Sequence, residues 1–349
     1  MKSISVAMAS YNGRRFIQQQ LDSIVQQTRL PDELIVTDDA STDGTVECVE
    51  QFAATAPFPV HVYRNAEKLG FRGNFMRAIS LCKSDLVALC DQDDVWNSNK
   101  LTVAAAAFET PDTVLFFHDA WLIDGDGARI GEADIFRLPP LNPALSVHSL
   151  NNPFGFSMVF DRALLQFTDL WERSVDSMQL NQRMAHDQWL FFLATVFGTI
   201  VFSDLRLTEY RQHGNNAYGW SAAKGLRENL RSRLPWLWNN GGRYKILAHL
   251  SRVRAEILAD AKSRLSGIWR ERAVAGEQAY LRYAEQFGLR GQLYSDAQIL
   301  ERVKLLLQLR RTGSYQAAGK WSFGRSALAK DVALGLVLKA FLIPPGDKG

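Results

Sequence analysis

The feature that most constrains this chain is a rhythm in its first half. Short β-rich runs alternate with helical periodicities, and several of the runs stop on a cluster of polar residues. Ser3–Ala9 ends at Ser10-Tyr11-Asn12-Gly13, Glu33–Thr37 at Asp38-Asp39-Ala40-Ser41, and the wholly apolar Leu86–Cys90 at Asp91-Gln92-Asp93-Asp94. Phe16, Leu21, Ile24 and Val25 share one face of a helix after the first run. Thr45–Ala54, with Ser41 or Asp43 as its N-cap, and Gly73–Leu81 read as further helices. Val60–Tyr63, Val114–Phe117 and Met158–Phe160 read as strands, and Trp189–Val196 as a helix. Alternation of this kind predicts an α/β fold with a mostly parallel central sheet flanked by helices. Ligands of such sheets collect outside the carboxyl ends of the strands, so the polar clusters should share one rim.

A hydrophobic share of 47% can build a core, and a charged share of 22% argues against disorder. Cys48, Cys82 and Cys90 are scattered and odd in number, which fits neither a zinc site nor a disulfide framework and points to a reduced, cytoplasmic setting. The first strand begins too early to be the apolar part of a signal peptide. The longest apolar run, Val332–Ile343, contains Lys339 and falls short of the roughly 20 residues a membrane-spanning helix needs.

Charge divides the chain. Residues 1–219 carry 17 Lys/Arg against 27 Asp/Glu, and residues 220–349 carry 23 against 10, so net charge passes from −10 to +13. Strand signals fade at the same place. Long Arg-rich helical patterns replace them, for example Tyr244–Asp260 and Asp296–Arg310, which sets an expected boundary between residues 219 and 220. The back part mixes Arg with Trp and Leu, most clearly over Leu230–Trp238. It suits either an anionic membrane surface or an ordinary helical subdomain, and no nucleic-acid-binding motif accompanies it.

The chain has no G-x-G-x-x-G after its first strand and no G-x-x-x-x-G-K-[ST], which disfavours dinucleotide-binding and P-loop readings. Without a glycine-rich cradle, a bound diphosphate needs a cation to offset its charge. Three carboxylates in Asp91-Gln92-Asp93-Asp94 repel one another unless a cation sits among them, and oxygen-only ligands suit Mg²⁺ or Mn²⁺. The plain alternative is a solvated acidic turn.

Five segments, in order, resemble family 2 glycosyltransferases of the GT-A fold. They are Ala9–Gly13, Gln20–Ile24, Asp38–Thr45, Cys90–Trp96 and the Tyr210-Arg211-Gln212-His213-Gly214-Asn215-Asn216 stretch. The Cys-Asp-Gln-Asp-Asp segment is most similar to the branch that includes bacterial rhamnosyltransferases of O-antigen and capsule assembly. The resemblance implies that Asp91 faces the donor's ribose, that Gln92 belongs to the same nucleotide-sugar site, and that Asp93, with Asp94, faces the metal and diphosphate. It implies that Asp39, with Asp38 nearby, recognises the nucleobase, and that Ser10, Tyr11 and Asn12 flank the nucleoside. Asp187, in His186-Asp187-Gln188-Trp189, matches the family's general base; capping a helix that starts at Gln188 is a compatible second role. His213 would complete the metal shell, although a loop histidine is commonly just solvated. Arg211 would pair with phosphate, and Lys68 and Arg72 would touch base or diphosphate; each could be a surface charge. Asp119, at the end of the fifth strand, and Trp189 would line the acceptor side, against core burial as the commoner fate of tryptophan.

The expected activity is inverting transfer of a sugar from a nucleotide diphosphate donor to a hydroxyl of a growing, lipid-linked glycan at the inner face of a bacterial membrane. dTDP-rhamnose comes first and a UDP-hexose second as donor. The rivals are a sugar nucleotidyltransferase, which would want a basic Gly-rich loop after the first strand, and a non-catalytic assembly scaffold.

Overall fold

The computed structural model describes residues 2–134, 137–214, 240–295, 297–316 and 321–338. The Leu230–Trp238 stretch, Asn215 and Asn216 lie outside the described residues. The chain divides into two compact units. One holds residues 1–144 and 151–220; the other holds residues 221–349 and also takes the short segment Leu145–Leu150.

The first unit is built on one ten-stranded sheet. Strands β1 (Ile4–Ser10), β2 (Glu33–Asp38), β3 (Val60–Arg64) and β4 (Leu86–Asp91) pair in parallel in the order β3-β2-β1-β4. Helices α1 (Ile17–Val25), α2 (Thr45–Ala53) and α3 (Gly70–Leu81) connect them. Side chains alternate across a strand. Ile4, Val6 and Met8, Leu34 and Val36, and Leu86, Ala88 and Cys90 therefore form one face, packed with Ile17, Leu21 and Ile24 of α1 and Val49 and Phe52 of α2. Helix α2 starts after Gly44, whose φ of 88° is left-handed. Asp43 is not its N-cap, but its Oδ1 accepts from the Thr45 N–H (3.1 Å) and so holds the turn.

Register brings the polar clusters together. Ser10 stands opposite Asp38, and Ala9 opposite Asp91, so the ends of three strands meet on one rim.

Beyond β4 the sheet is less regular than the sequence predicts. The short β5 (Val95–Trp96) precedes α4 (Lys100–Ala107), and β6 runs on from Thr113 to Ile123. β7 (Arg129–Ala133) and β8 (Leu141–Asn142) hang from β6 and from β10, and β9 (Met158–Asp161) lies antiparallel between β4 and β6. After α5 (His186–Phe197) comes a long strand that the periodicity missed, β10 (Thr199–Arg211). It runs parallel to β6 with three irregularities, and antiparallel to β5 through Glu209–Val95 and Thr208–Trp96. That last pairing ties the chain just after Asp94 to the chain just before His213.

The second unit has its own core. Helices α6 (Asn240–Arg264) and α7 (Gly267–Leu293) pack along each other, followed by α8 (Ile299–Arg311), the short α9 (Gly324–Lys330) and a π-helical turn, Asp331–Leu338. Tyr244, Tyr283, Phe287, Leu293, Leu305 and Leu309 are among its buried residues. Asp331 is fully buried, and its carboxylate accepts from Arg290 (2.8 Å), Tyr294 (2.8 Å) and Tyr315 (2.7 Å), which satisfies the charge. Among the described residues no helix is long and apolar enough to cross a membrane.

Candidate active site

A cavity of about 400 Å³ opens at the rim where β1, β2 and β4 end. Eight of the residues singled out from sequence line it: Ser10, Tyr11, Asp39, Lys68, Asp91, Gln92, Asp93 and Asp187. The loop after β1 is pinned from two sides. Tyr11 donates its N–H to Gln92 Oε1 (2.9 Å) while Gln92 Nε2 donates to the Tyr11 carbonyl (3.0 Å). A Cβ at position 13 would collide with the end of that Gln92 side chain, so Gly13 leaves Gln92 the room to bond Tyr11. Asn12 adopts φ 46°, a conformation Asn tolerates better than most residues, and its Oδ1 accepts from the Thr42 N–H (2.9 Å). Asn12 thus staples two loops and is not on the cavity wall.

The two aspartates after β2 have different jobs. Asp38 is buried, and its carboxylate is engaged by Ser10 Oγ (2.7 Å), Ser41 Oγ (2.5 Å) and the Ser41 N–H (2.7 Å). It braces the rim and is not a lining residue. Asp39 does line the cavity; it accepts from Asn65 Nδ2 (2.9 Å) and from the Leu69 and Gly70 N–H groups (2.7 and 2.9 Å), which holds the loop before α3 in place. Lys68 on that loop reaches back to the Tyr11 hydroxyl, with its ammonium 4.2 Å from the ring centre.

The acidic segment after β4 splits in the same way. Burial, then the Asp93 and Asp187 carboxylates, push Asp91 up to about 7, against the opposite pull of Lys100. Asp93 Oδ2 lies 2.8 Å from His213 Nε2, and the imidazole packs on Phe16 with ring centres 4.9 Å apart. Asp94 does not join them. Its side chain is fully buried, Oδ1 accepts from the Arg211 N–H (3.0 Å), and burial holds it well above the usual carboxylate range. The expected metal role of Asp94 is therefore replaced by a structural one, because the β5–β10 pairing draws it beneath the chain. Among the described residues no three His, Cys, Asp or Glu side chains are arranged to hold a metal; Asp93 and His213 supply two donors.

Both arginines expected at the diphosphate are engaged elsewhere. Arg211 is 1% exposed and donates to the carbonyls of Asp93 (2.8 Å), Asp124 (3.2 Å) and Gly125 (3.3 Å) and to Gln19 Oε1 (2.6 Å). It is a staple between segments. Arg72 is held by the buried Asp176 carboxylate at 2.7 Å. On the proposed acceptor side, Asp119 is buried within β6, which continues past it to Ile123, and Trp189 is buried against Phe192. Neither reaches the cavity.

Asp187 does. It sits in the first turn of α5, which starts at His186 rather than Gln188, and its Oδ1 accepts from the Gln188 N–H (2.7 Å). Burial pushes its carboxyl up to about 6; the Gln188 N–H and Arg72 oppose that shift, and the Asp176 charge adds to it. Two further groups escaped the sequence reading. Lys100 is fully buried behind the acidic segment, donating to the Phe156 carbonyl (2.6 Å) and Thr208 Oγ1 (3.0 Å). Burial pulls it down to about 7 while Cys90, Asp94 and Asp91 pull it up. His186 lines the cavity beside Asp187. Its adjacency to Asp187 was the only sequence signal; for Lys100 there was none.

A mixed sheet, parallel over β3-β2-β1-β4 with carboxylates gathered at those strand ends and less parallel beyond β4 than the sequence predicts, followed by helices, is the GT-A glycosyltransferase architecture. The solved structure of Staphylococcus aureus TarS residues 1–349 in complex with UDP-GlcNAc shares that fold, with a TM-score of 0.50 and 17% identity over 90% of this chain and 93% of that one. Residues 5–167 match the model of glycosyl transferase family 2. An uncharacterized glycosyltransferase of Nostoc sp. is 27% identical over 64% of this chain and 69% of its own length. A dTDP-rhamnosyl transferase of Shigella flexneri is 26% identical over 61% of this chain and 73% of its own. The chain spans 60% to 69% of the length of the first curated relatives it matches.

Proposed function

We propose that this chain is an inverting glycosyltransferase that moves a sugar from a nucleoside diphosphate donor to a hydroxyl acceptor. The observation that carries the reading is the sharing of one cavity by Asp39, Asp91, Asp93 and Asp187, with Asp187 shifted toward neutrality. A carboxyl near 6 is ionised at neutral pH and is a stronger base than an exposed one, which is what proton abstraction from a hydroxyl asks for. Asp187 takes the acceptor proton as the acceptor oxygen bonds to the anomeric carbon. The bond from that carbon to the diphosphate oxygen breaks on the opposite face, and the nucleoside diphosphate leaves with the electron pair.

In this reading Asp39 meets the nucleobase, Tyr11 and Lys68 flank the nucleoside, and Asp91 with Gln92 meets the ribose. Asp93 and His213 would hold a divalent cation, with the donor's phosphates and water completing its shell. Mg²⁺ is commonly held by one or two carboxylates plus substrate phosphates, and an imidazole donor favours Mn²⁺. The ion would offset charge on the departing diphosphate. dTDP-rhamnose is the first donor to test, supported by the Shigella flexneri relative at 26% identity, and a UDP-hexose the second.

The acceptor in this reading is a lipid-linked glycan at the inner face of a bacterial membrane. Helix α8 supports surface attachment. Ile299, Leu300, Val303 and Leu307 recur at helical spacing and are exposed, Leu300 at 73%, with Lys304, Arg310 and Arg311 on the same helix. Release of nucleoside diphosphate from a donor panel, with and without Mn²⁺, tests the whole reading. Turnover that ignores chelation would remove the ion from the roles of Asp93 and His213.

A further inference from the structure

The wall of the cavity beside Asp187 is largely aromatic: Phe71, Phe75, Phe154 and Phe156 line it, and His186 stands among them. The imidazole is 6% exposed and stacks on Phe75, with ring centres 3.8 Å apart and planes 20° apart. Among the described residues neither Nδ1 nor Nε2 has a hydrogen-bond partner. The space for the ring edge is made by a missing side chain, since a Cβ at Gly155 would lie 2.5 Å from Nε2. Burial and the nearby Arg72 push His186 down to about 3, so the ring is neutral at any working pH. A neutral imidazole offers one donor and one acceptor, and a buried polar group left unpaired is disfavoured. A hydroxyl group can serve either role, and aromatic walls suit the C–H faces of a pyranose.

We propose that His186 is a specificity-determining residue that exchanges a hydrogen bond with a sugar hydroxyl held in the cavity beside Asp187. The proposal rests on the transferase reading above and adds to it the group that senses the sugar. The hydroxyl belongs either to the transferred sugar or to the acceptor sugar, and the two have different signatures.

The test uses the full chain and His186→Phe, which keeps an aromatic ring on Phe75 and deletes both nitrogens. Affinities for UDP, dTDP, UDP-GlcNAc and dTDP-rhamnose are measured by calorimetry, and the acceptor KM by release of nucleoside diphosphate. If the donor sugar is the partner, the variant binds the free diphosphate as the parent does and binds the sugar nucleotide about tenfold more weakly. If the acceptor is the partner, donor affinity stays and the acceptor KM rises about tenfold. Gly155→Ala, which drives the ring edge out of place, should reproduce whichever effect appears, and it serves alone where His186→Phe does not fold. Unchanged sugar-nucleotide affinity and unchanged acceptor KM in both variants would mean that water or nothing pairs with the ring, and would overturn the proposal. A parent protein that binds none of the four nucleotides refutes the transferase reading itself, and the proposal with it.

Discussion

Asp187→Asn should separate function from stability, and the structure gives the size of the effect. The carboxyl is pushed from 3.8 to about 6, mainly by burial. A raised carboxyl binds its proton more tightly in the folded state than in the unfolded one. Its contribution to stability is therefore greatest below the unfolded value and is lost as pH rises through the folded value. The full difference is about 3 kcal/mol at pH 8, taken as a ceiling, and linkage over the same two values reduces it to about 1.6 kcal/mol at pH 5. Asparagine keeps an oxygen for the Gln188 N–H and carries no charge, so the variant escapes this penalty. It should melt higher than the parent at pH 8, by up to roughly 6–12 °C for a unit of this size, and the gain should shrink to about half at pH 5. Calorimetric melts at the two pH values read this directly. A variant no more stable than the parent at pH 8, or equally stabilised at both pH values, would refute the burial argument. The same protein should lose about 10²–10⁴-fold in transfer while still binding donor.

Three further outcomes follow from the same geometry. The parent's kcat/KM should fall tenfold per pH unit below about 6, as the base protonates, which a pH–rate profile checks. Arg211→Ala should destabilise the protein by about 2–4 kcal/mol in denaturant melts, because three carbonyls and Gln19 lose their donor. A phosphate-binding Arg211 would instead leave the melt unchanged and weaken nucleoside diphosphate binding alone. Gly13→Ala should displace Gln92 from Tyr11 and weaken nucleoside diphosphate binding measurably by calorimetry, with little change in the melt.

Local features of the sequence carried the first four strands and their helices, because period-2 and period-3.6 patterns and turn residues act over a few positions. The same locality explains the misses. β10 is broken in pattern by Ser203-Asp204-Leu205-Arg206 and owes its length to pairing with β6, a strand far away in sequence. Asp119 looked like the end of a strand, yet that pairing carries β6 on to Ile123. Arg211 reads as a surface charge or a phosphate ligand until four acceptors from distant segments are assembled around it.

What the sequence determined by itself is where each front strand ends, which polar residues stand there, and that the chain passes from acidic to basic near residue 220. Tertiary structure decided which of those carboxylates face the cavity. Asp91 and Asp93 do, whereas Asp94 is turned under a strand 117 positions away and Asp38 is engaged by two serines. Lys100 and His186 gain their meaning only from burial. The physical reason is that a carboxylate's direction, partners and proton affinity depend on the low-dielectric surroundings supplied by remote segments, and no window along the chain contains them.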